Sequence, residues 1–135
     1  MPISRSENMR RIRAKNTKPE LAARRAIFAL GYRGYRLNVP YLPGRPDIVF
    51  NRQCKAIFVN GCFWHGHNCK EGVRIPRSNR RYWIEKIDGN CQRDLLNRAA
   101  LKGLGWKVLT LWECEISNRQ KIDACLVKFL GAQLR

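Results

Sequence analysis

Apolar residues recur at helical spacing in three stretches of the chain, and gather into short strand-length runs between them. The first helix begins at Thr17-Lys18-Pro19-Glu20. Thr at the N-cap, Pro at the second helical position and Glu three residues after the cap form the capping-box pattern. Ala23, Ala26, Ile27 and Leu30 then share one face, and Gly31 is a natural stop. Upstream, Ser6 to Ala14 is compatible with a short basic helix carrying Met9 and Ile12. Tyr35–Val39 alternates loosely, Leu42-Pro43-Gly44-Arg45-Pro46 reads as a bend, and Asp47–Phe50 and Ala56–Val59 read as an antiparallel hairpin inside a core. Residues 60–79 show no periodicity. A long helix is predicted from about Arg81 to Lys102, with Ile84, Ile87, Cys91, Leu95 and Ala99 as its apolar stripe and Gly89 as a place where it could bend. Trp106 to Trp112 is apolar on both faces and predicts a central strand. A last helix, Arg119 to Leu130, should bury Ile122, Leu126 and Phe129. The order of elements gives an α/β fold: a mixed sheet flanked by helices, with the strand after the long helix parallel to an earlier one.

Charge changes this picture most. The chain has 135 residues and a formal net charge of +17, well beyond the about +2 to +8 that solubility asks of a small domain. Such an excess points to a polyanion, because Lys and Arg displace counterions from phosphates. Residues 1–36 and 70–107 hold most of it, flanking a nearly balanced middle. The length suits one domain, spanning 1–135. No run approaches the ~18–20 apolar residues of a membrane span. The opening Met1-Pro2-Ile3-Ser4-Arg5 lacks a signal-peptide core, so a cytoplasmic location is expected. In that setting the six cysteines argue for metal or core roles rather than a disulfide framework.

Two cysteines and both histidines of the chain fall within Cys62-Phe63-Trp64-His65-Gly66-His67-Asn68-Cys69. Zinc takes four tetrahedral thiolate or imidazole ligands. Cys62, His67 and Cys69 could supply three, with His65 as a competitor, and Cys114 is the best candidate for the fourth. The plain alternative is buried cysteines beside surface histidines. Phe63 and Trp64 suit either a core or a wedge that unstacks DNA bases. Acids are scarce, so Asp47, at the start of an apolar strand in a basic protein, suits a Mg²⁺ ligand; a pair with Arg45 would account for it equally simply. Asp94 shares a helix face with Asn90 and could orient a histidine or pair with Arg93 or Arg98. Glu20 is accounted for by the capping box.

Leu42-Pro43-Gly44-Arg45-Pro46-Asp47, Gly61-Cys62-Phe63-Trp64-His65, Trp83-Ile84-Glu85-Lys86-Ile87 with Asn90 and Arg93-Asp94, Gly105-Trp106-Lys107-Val108-Leu109 and Trp112-Glu113-Cys114 together resemble the very short patch repair (Vsr) endonuclease family, bacterial enzymes that nick DNA at T:G mismatches. The resemblance runs from about Ser6 to Cys114. It implies a restriction-endonuclease-like fold with a modified active site. Asp47 would hold Mg²⁺ with the backbone carbonyl of Val59, His65 would assist the attacking water, Asp94 would orient His65, and Glu20 would lie nearby. Cys62, His67, Cys69 and Cys114 would bind zinc. Phe63 and Trp64 would wedge into DNA from one groove and Met9, in the DNA-contacting segment 1–16, from the other. Val59 stands where better-known members have Thr. Asn60 stands where they have His and cannot accept a proton as an imidazole does.

The resemblance thus implies a Mg²⁺-dependent, zinc-stabilised monomer that nicks double-stranded DNA on the 5′ side of the mispaired T, in bacterial cytoplasm near the nucleoid, with mismatch-repair proteins as potential partners. Two rivals stand beside it: a zinc-containing DNA-binding module without catalysis, and a nuclease acting on matched sites.

Overall fold

A computed structural model describes residues 17–62, 66–67, 69 and 75–131. The elements are α1 (Lys18–Ala29), β1 (Arg36–Leu37), β2 (Ile48–Phe50), β3 (Lys55–Asn60), α2 (Arg80–Gly103), β4 (Lys107–Trp112), α3 (Glu113–Ile116) and α4 (Arg119–Leu130). Helix α1 starts as its sequence predicts: Thr17 accepts the Glu20 N–H, and proline occupies the first turn. The expected basic helix at 6–14, with Met9, lies outside the described residues.

The four strands form one mixed sheet in the order β1-β2-β3-β4. β2 and β3 pair antiparallel with Ile48 opposite Ile57, through a 3-10 turn at Asn51–Gln53 and a left-handed Cys54. β3 and β4 pair parallel, with Val59 opposite Leu111 and Asn60 opposite Trp112. The crossover is α2, as a parallel pair requires. β1 is shorter than the loose alternation of Tyr35–Val39 predicts, ending before Asn38, which takes a positive φ.

Alternation along the strands divides the residues between two faces. Ile48, Phe50, Ile57 and Leu111 form a core with Ala23, Ala26 and Ile27 of α1 and Ile122, Leu126 and Leu130 of α4. Phe129, expected inside, is half-buried beside that cluster, with the Lys55 ammonium 5.5 Å from its ring centroid.

Two expectations need correction. β4 is an edge strand among the described residues, not a central one. Its apolar residues reflect helices on both sides of the sheet, because burial of the faces counts layers and not hydrogen-bonded neighbours. The long helix also follows its expected stripe only in part: Ile87 is buried and Cys91 half-buried, but Ala99 is exposed. Leu95 is 63% exposed and Ile84 44%, whereas Ile87, Asn90 and Leu101 are buried. The inward line Ile87, Asn90, Asp94, Asn97, Leu101 is polar at its three middle positions because they border a cavity. The helix runs continuously through Gly89.

Candidate active site and metal centre

The C-terminal ends of the parallel pair β3 and β4 lie together, and the N-terminus of β2 reaches the same end because β2 runs antiparallel to β3. Ligand sites in α/β sheets favour this end. Here a cavity of about 420 Å³ opens between the sheet, α1 and α2. Asp47, Val59, Asn60, Glu20, Asp94 and Glu113 line it, together with Arg45, Arg93 and Arg98. Gly44 lets the bend before Asp47 lie against α2: a Cβ there would sit 2.9 Å from the Asn97 Cβ.

Asp47 is fixed in place by the Val59 N–H, which donates to Oδ2 at 2.6 Å. Its other close partner is Glu20, through a side-chain hydrogen bond between the two carboxyl groups. Arg45 is not the partner. Burial pushes the Asp47 carboxyl up to about 7, the Val59 N–H opposes this, and the neighbouring Glu20 charge raises it further. A buried carboxyl that keeps its proton to near neutrality, with a second carboxyl beside it, suits a cation, which can take the proton's place. Glu20 thus does more than cap a helix. Its carboxylate is also paired with Arg24 of the next turn at 3.2 Å, both side chains largely buried. That partner escaped sequence reading, although Glu20 and Arg24 stand at i,i+4 spacing.

Cys62, His67, Cys69 and Cys114 converge, each offering one ligand atom, with all four atoms within 4.8 Å of one another. Three of the four ligands are local: the His67 N–H bonds the Cys62 carbonyl at 3.0 Å and the Cys69 N–H bonds the His67 carbonyl at 2.8 Å, which brings Cys62, His67 and Cys69 together. β4 delivers the fourth ligand. The Cys114 N–H donates to Cys62 Sγ at 3.3 Å, and Cys114 Sγ lies 3.5 Å from His67 Nδ1. The His67 ring stacks on Trp112, centroids 4.1 Å apart. Burial pushes the Cys62 thiol up to about 12, so without a cation this buried sulfur stays protonated. Three sulfurs and an imidazole at this spacing fit the donor set of a tetrahedral zinc site, and the cluster could hold a metal.

Cluster and cavity are neighbours, since Trp112, Glu113 and Cys114 are consecutive. Asp94 lines the cavity and also a smaller hollow beside His67 and Trp112. Gly66, between two ligands, has φ +58°, and a Cβ there would meet Ile87 Cγ2 at 2.8 Å and Cys91 Sγ at 3.1 Å. Gly66 is therefore seated directly on α2. Gly66→Ala should cost about 1–3 kcal/mol through crowding and the left-handed backbone, read as a lowered chemical-denaturation midpoint; an unchanged midpoint would refute the tight seat. His65, Phe63 and Trp64 lie outside the described residues.

A family profile described as "DNA mismatch endonuclease Vsr" matches residues 1–71. The type II nicking enzyme V.NmeAIP of Neisseria meningitidis serogroup A is 45% identical over 115 residues, covering 85% of this chain and 81% of that one. The DNA mismatch endonuclease Vsr of Escherichia coli K12 is 38% identical over 119 residues, 88% and 75% of the two chains. The chain belongs to the Vsr family. A third relative, the type II nicking enzyme V.XorIIP of Xanthomonas oryzae pv. oryzae, is 44% identical over 129 residues, 96% of this chain and 93% of that one. The resemblance seen in the motifs is thus a relationship that extends over most of the chain. Among the described residues of this Vsr-family protein, no helix is long and apolar enough to cross a membrane.

Proposed function

We propose that this protein is a DNA endonuclease that nicks one strand of duplex DNA on the 5′ side of the T in a T:G mismatch, by Mg²⁺-dependent hydrolysis. The observation that carries the reading is the meeting of Asp47, Glu20 and Asp94 in one cavity whose rim is set with arginines. A module that only bound DNA has no use for a buried carboxyl pair in a protein of net charge +17. The names of the relatives support both cleavage and nicking.

In this reading Asp47 holds Mg²⁺ with the Val59 carbonyl, and Glu20 stands beside it. Bound there, Mg²⁺ supplies charge stabilisation at the phosphate. His65 assists the hydrolytic water and Asp94 orients it; the placement of Asp94 between the cavity and the His67–Trp112 stack supports that pairing. Zinc on Cys62, His67, Cys69 and Cys114 ties the ends of β3 and β4 together and so keeps the cavity in shape. Phe63 and Trp64 from one groove and Met9 of segment 1–16 from the other wedge into the mismatch, the cheapest step to unstack. The whole chain, 1–135, acts as one restriction-endonuclease-like domain and as a monomer, since a single mismatch has no two-fold axis to match.

Products settle the chemistry. On a T:G duplex labelled at either end of either strand, one cut is expected, in the T strand only, immediately 5′ to the T, with 5′-phosphate and 3′-hydroxyl termini. Cuts in both strands, or cuts indifferent to the position of the T, would reject the proposal.

A further inference from the structure

Hydrolysis of a phosphodiester crowds negative charge onto the non-bridging oxygens, and Asn60 leaves no imidazole at its position in the cavity wall to meet it. Among the described residues three guanidinium groups line the cavity: Arg45, Arg93 and Arg98. They are held differently. Arg45 belongs to an exposed turn at positive φ. Arg98 donates its Nε–H to the Asp94 carbonyl of its own helix, 3.3 Å away. Arg93 donates to the side-chain oxygen of Asn90. Asn90 is only 3% exposed, so its amide is fixed by the protein around it, while Arg93 itself remains open to solvent at the cavity wall. A buried acceptor thus aims an accessible cation from α2 into a cavity whose other wall carries Asp47 and Glu20.

We propose that Arg93 is a catalytic residue: its guanidinium binds the scissile phosphate and stabilises the charge on the non-bridging oxygens in the transition state. Asn90 is its positioning residue. The assignment rests on the nuclease reading given above. In the step concerned, the water oxygen forms a bond to phosphorus as the P–O3′ bond breaks. The electron pair stays on O3′, the water gives up a proton, and O3′ gains one to become the 3′-hydroxyl. Arg93 takes no part in the proton transfers; it donates hydrogen bonds whose value rises as the phosphorane forms. A fixed donor needs no reorganisation at that moment, which is the advantage of holding it through a buried amide.

The test uses the full chain and a T:G duplex, with single-turnover nicking at saturating protein and Mg²⁺-free DNA binding measured in parallel. Arg93→Met should nick about 100-fold more slowly or worse, as for loss of a transition-state donor, with the DNA dissociation constant within about fivefold of wild type. Arg93→Lys should recover part of the rate, because it restores charge but not the planar fork. A thermal midpoint equal to wild type shows that the exposed substitution left the fold intact. An Arg93→Met rate within about threefold of wild type overturns the assignment, and so does a defect that saturating protein abolishes, which would make Arg93 a binding contact only. Wild type and Asp47→Asn run beside these variants. A silent wild type sinks the nuclease reading and this one with it, whereas an active wild type with an equally active Arg93→Met sinks this one alone.

Discussion

A zinc-selective chelator is expected to remove the folded state, not merely silence it. In isolated zinc modules the metal contributes about 10–16 kcal/mol of apparent folding free energy, while an entire domain is stable by about 5–15 kcal/mol. Here the cluster joins Cys62 just past β3 to Cys114 just past β4, and Gly66 between its ligands sits on α2. Without the cation, the buried Cys62 thiol stays neutral, and Cys62 is joined to Cys114 only by a weak sulfur hydrogen bond, beside the His67–Trp112 stack and the seat of Gly66 on α2. The protein as isolated should contain one equivalent of zinc. Chelation, or Cys114→Ser, should abolish the cooperative melting transition or lower its midpoint by more than about 15 °C. A transition unmoved by complete zinc removal would refute the structural role, because the core between the sheet, α1 and α4 would then be sufficient alone.

Asp47→Asn is expected to do two opposite things. It should lower nicking by about a thousandfold or more, because an amide cannot replace a carboxylate as a ligand whose cation is worth several kcal/mol at the transition state. It should also stabilise the Mg²⁺-free protein above neutrality. The carboxyl sits at about 7 in the folded protein and 3.8 when exposed. The folded state therefore binds the extra proton between these values, and stability falls as pH rises from about 4 through about 7. Between pH 5 and pH 8 the loss should be about 2–3 kcal/mol, and the Asn variant, which still accepts the Val59 N–H, should escape it. Thermal melts in a chelator of Mg²⁺ that spares zinc would show the two proteins converging towards pH 4 and separating by several degrees at pH 8. Parallel melting curves across that range would contradict the burial of the Asp47 carboxyl.

Much of the molecule was legible before its structure. The Thr17 cap, the β2–β3 hairpin, the parallel return of β4 and the bounds of α4 all follow from local chemistry or from spacing that admits one solution. The metal cluster was legible for a similar reason, since three of its residues fall within eight positions. What eluded the sequence depends on context. The inward face of α2 could not be found by tracing apolar residues, because it borders a polar cavity and so carries Asn90, Asp94 and Asn97, while Leu95 and Leu96 face outwards. The edge position of β4 was hidden because two-sided apolarity registers covering helices. Glu20 carried two meanings at once. Its backbone caps a helix with Thr17 while its side chain joins Asp47, and only the fold brings those two acids together across 27 positions of sequence.

The +17 charge makes binding to any duplex an easy result and therefore a poor test. Selective cleavage is the demanding one. The most direct measurement is the single-turnover nicking rate on a T:G duplex and on its T:A twin of otherwise identical sequence, each with Mg²⁺ and with Mg²⁺ chelated. The account predicts cleavage of the T strand of the T:G duplex at least about 100-fold faster than of the T:A duplex, the difference reflecting the few kcal/mol by which a mismatch is easier to unstack, and no cleavage of either without Mg²⁺. Equal rates on the two duplexes, or cleavage that persists when Mg²⁺ is removed, would contradict it.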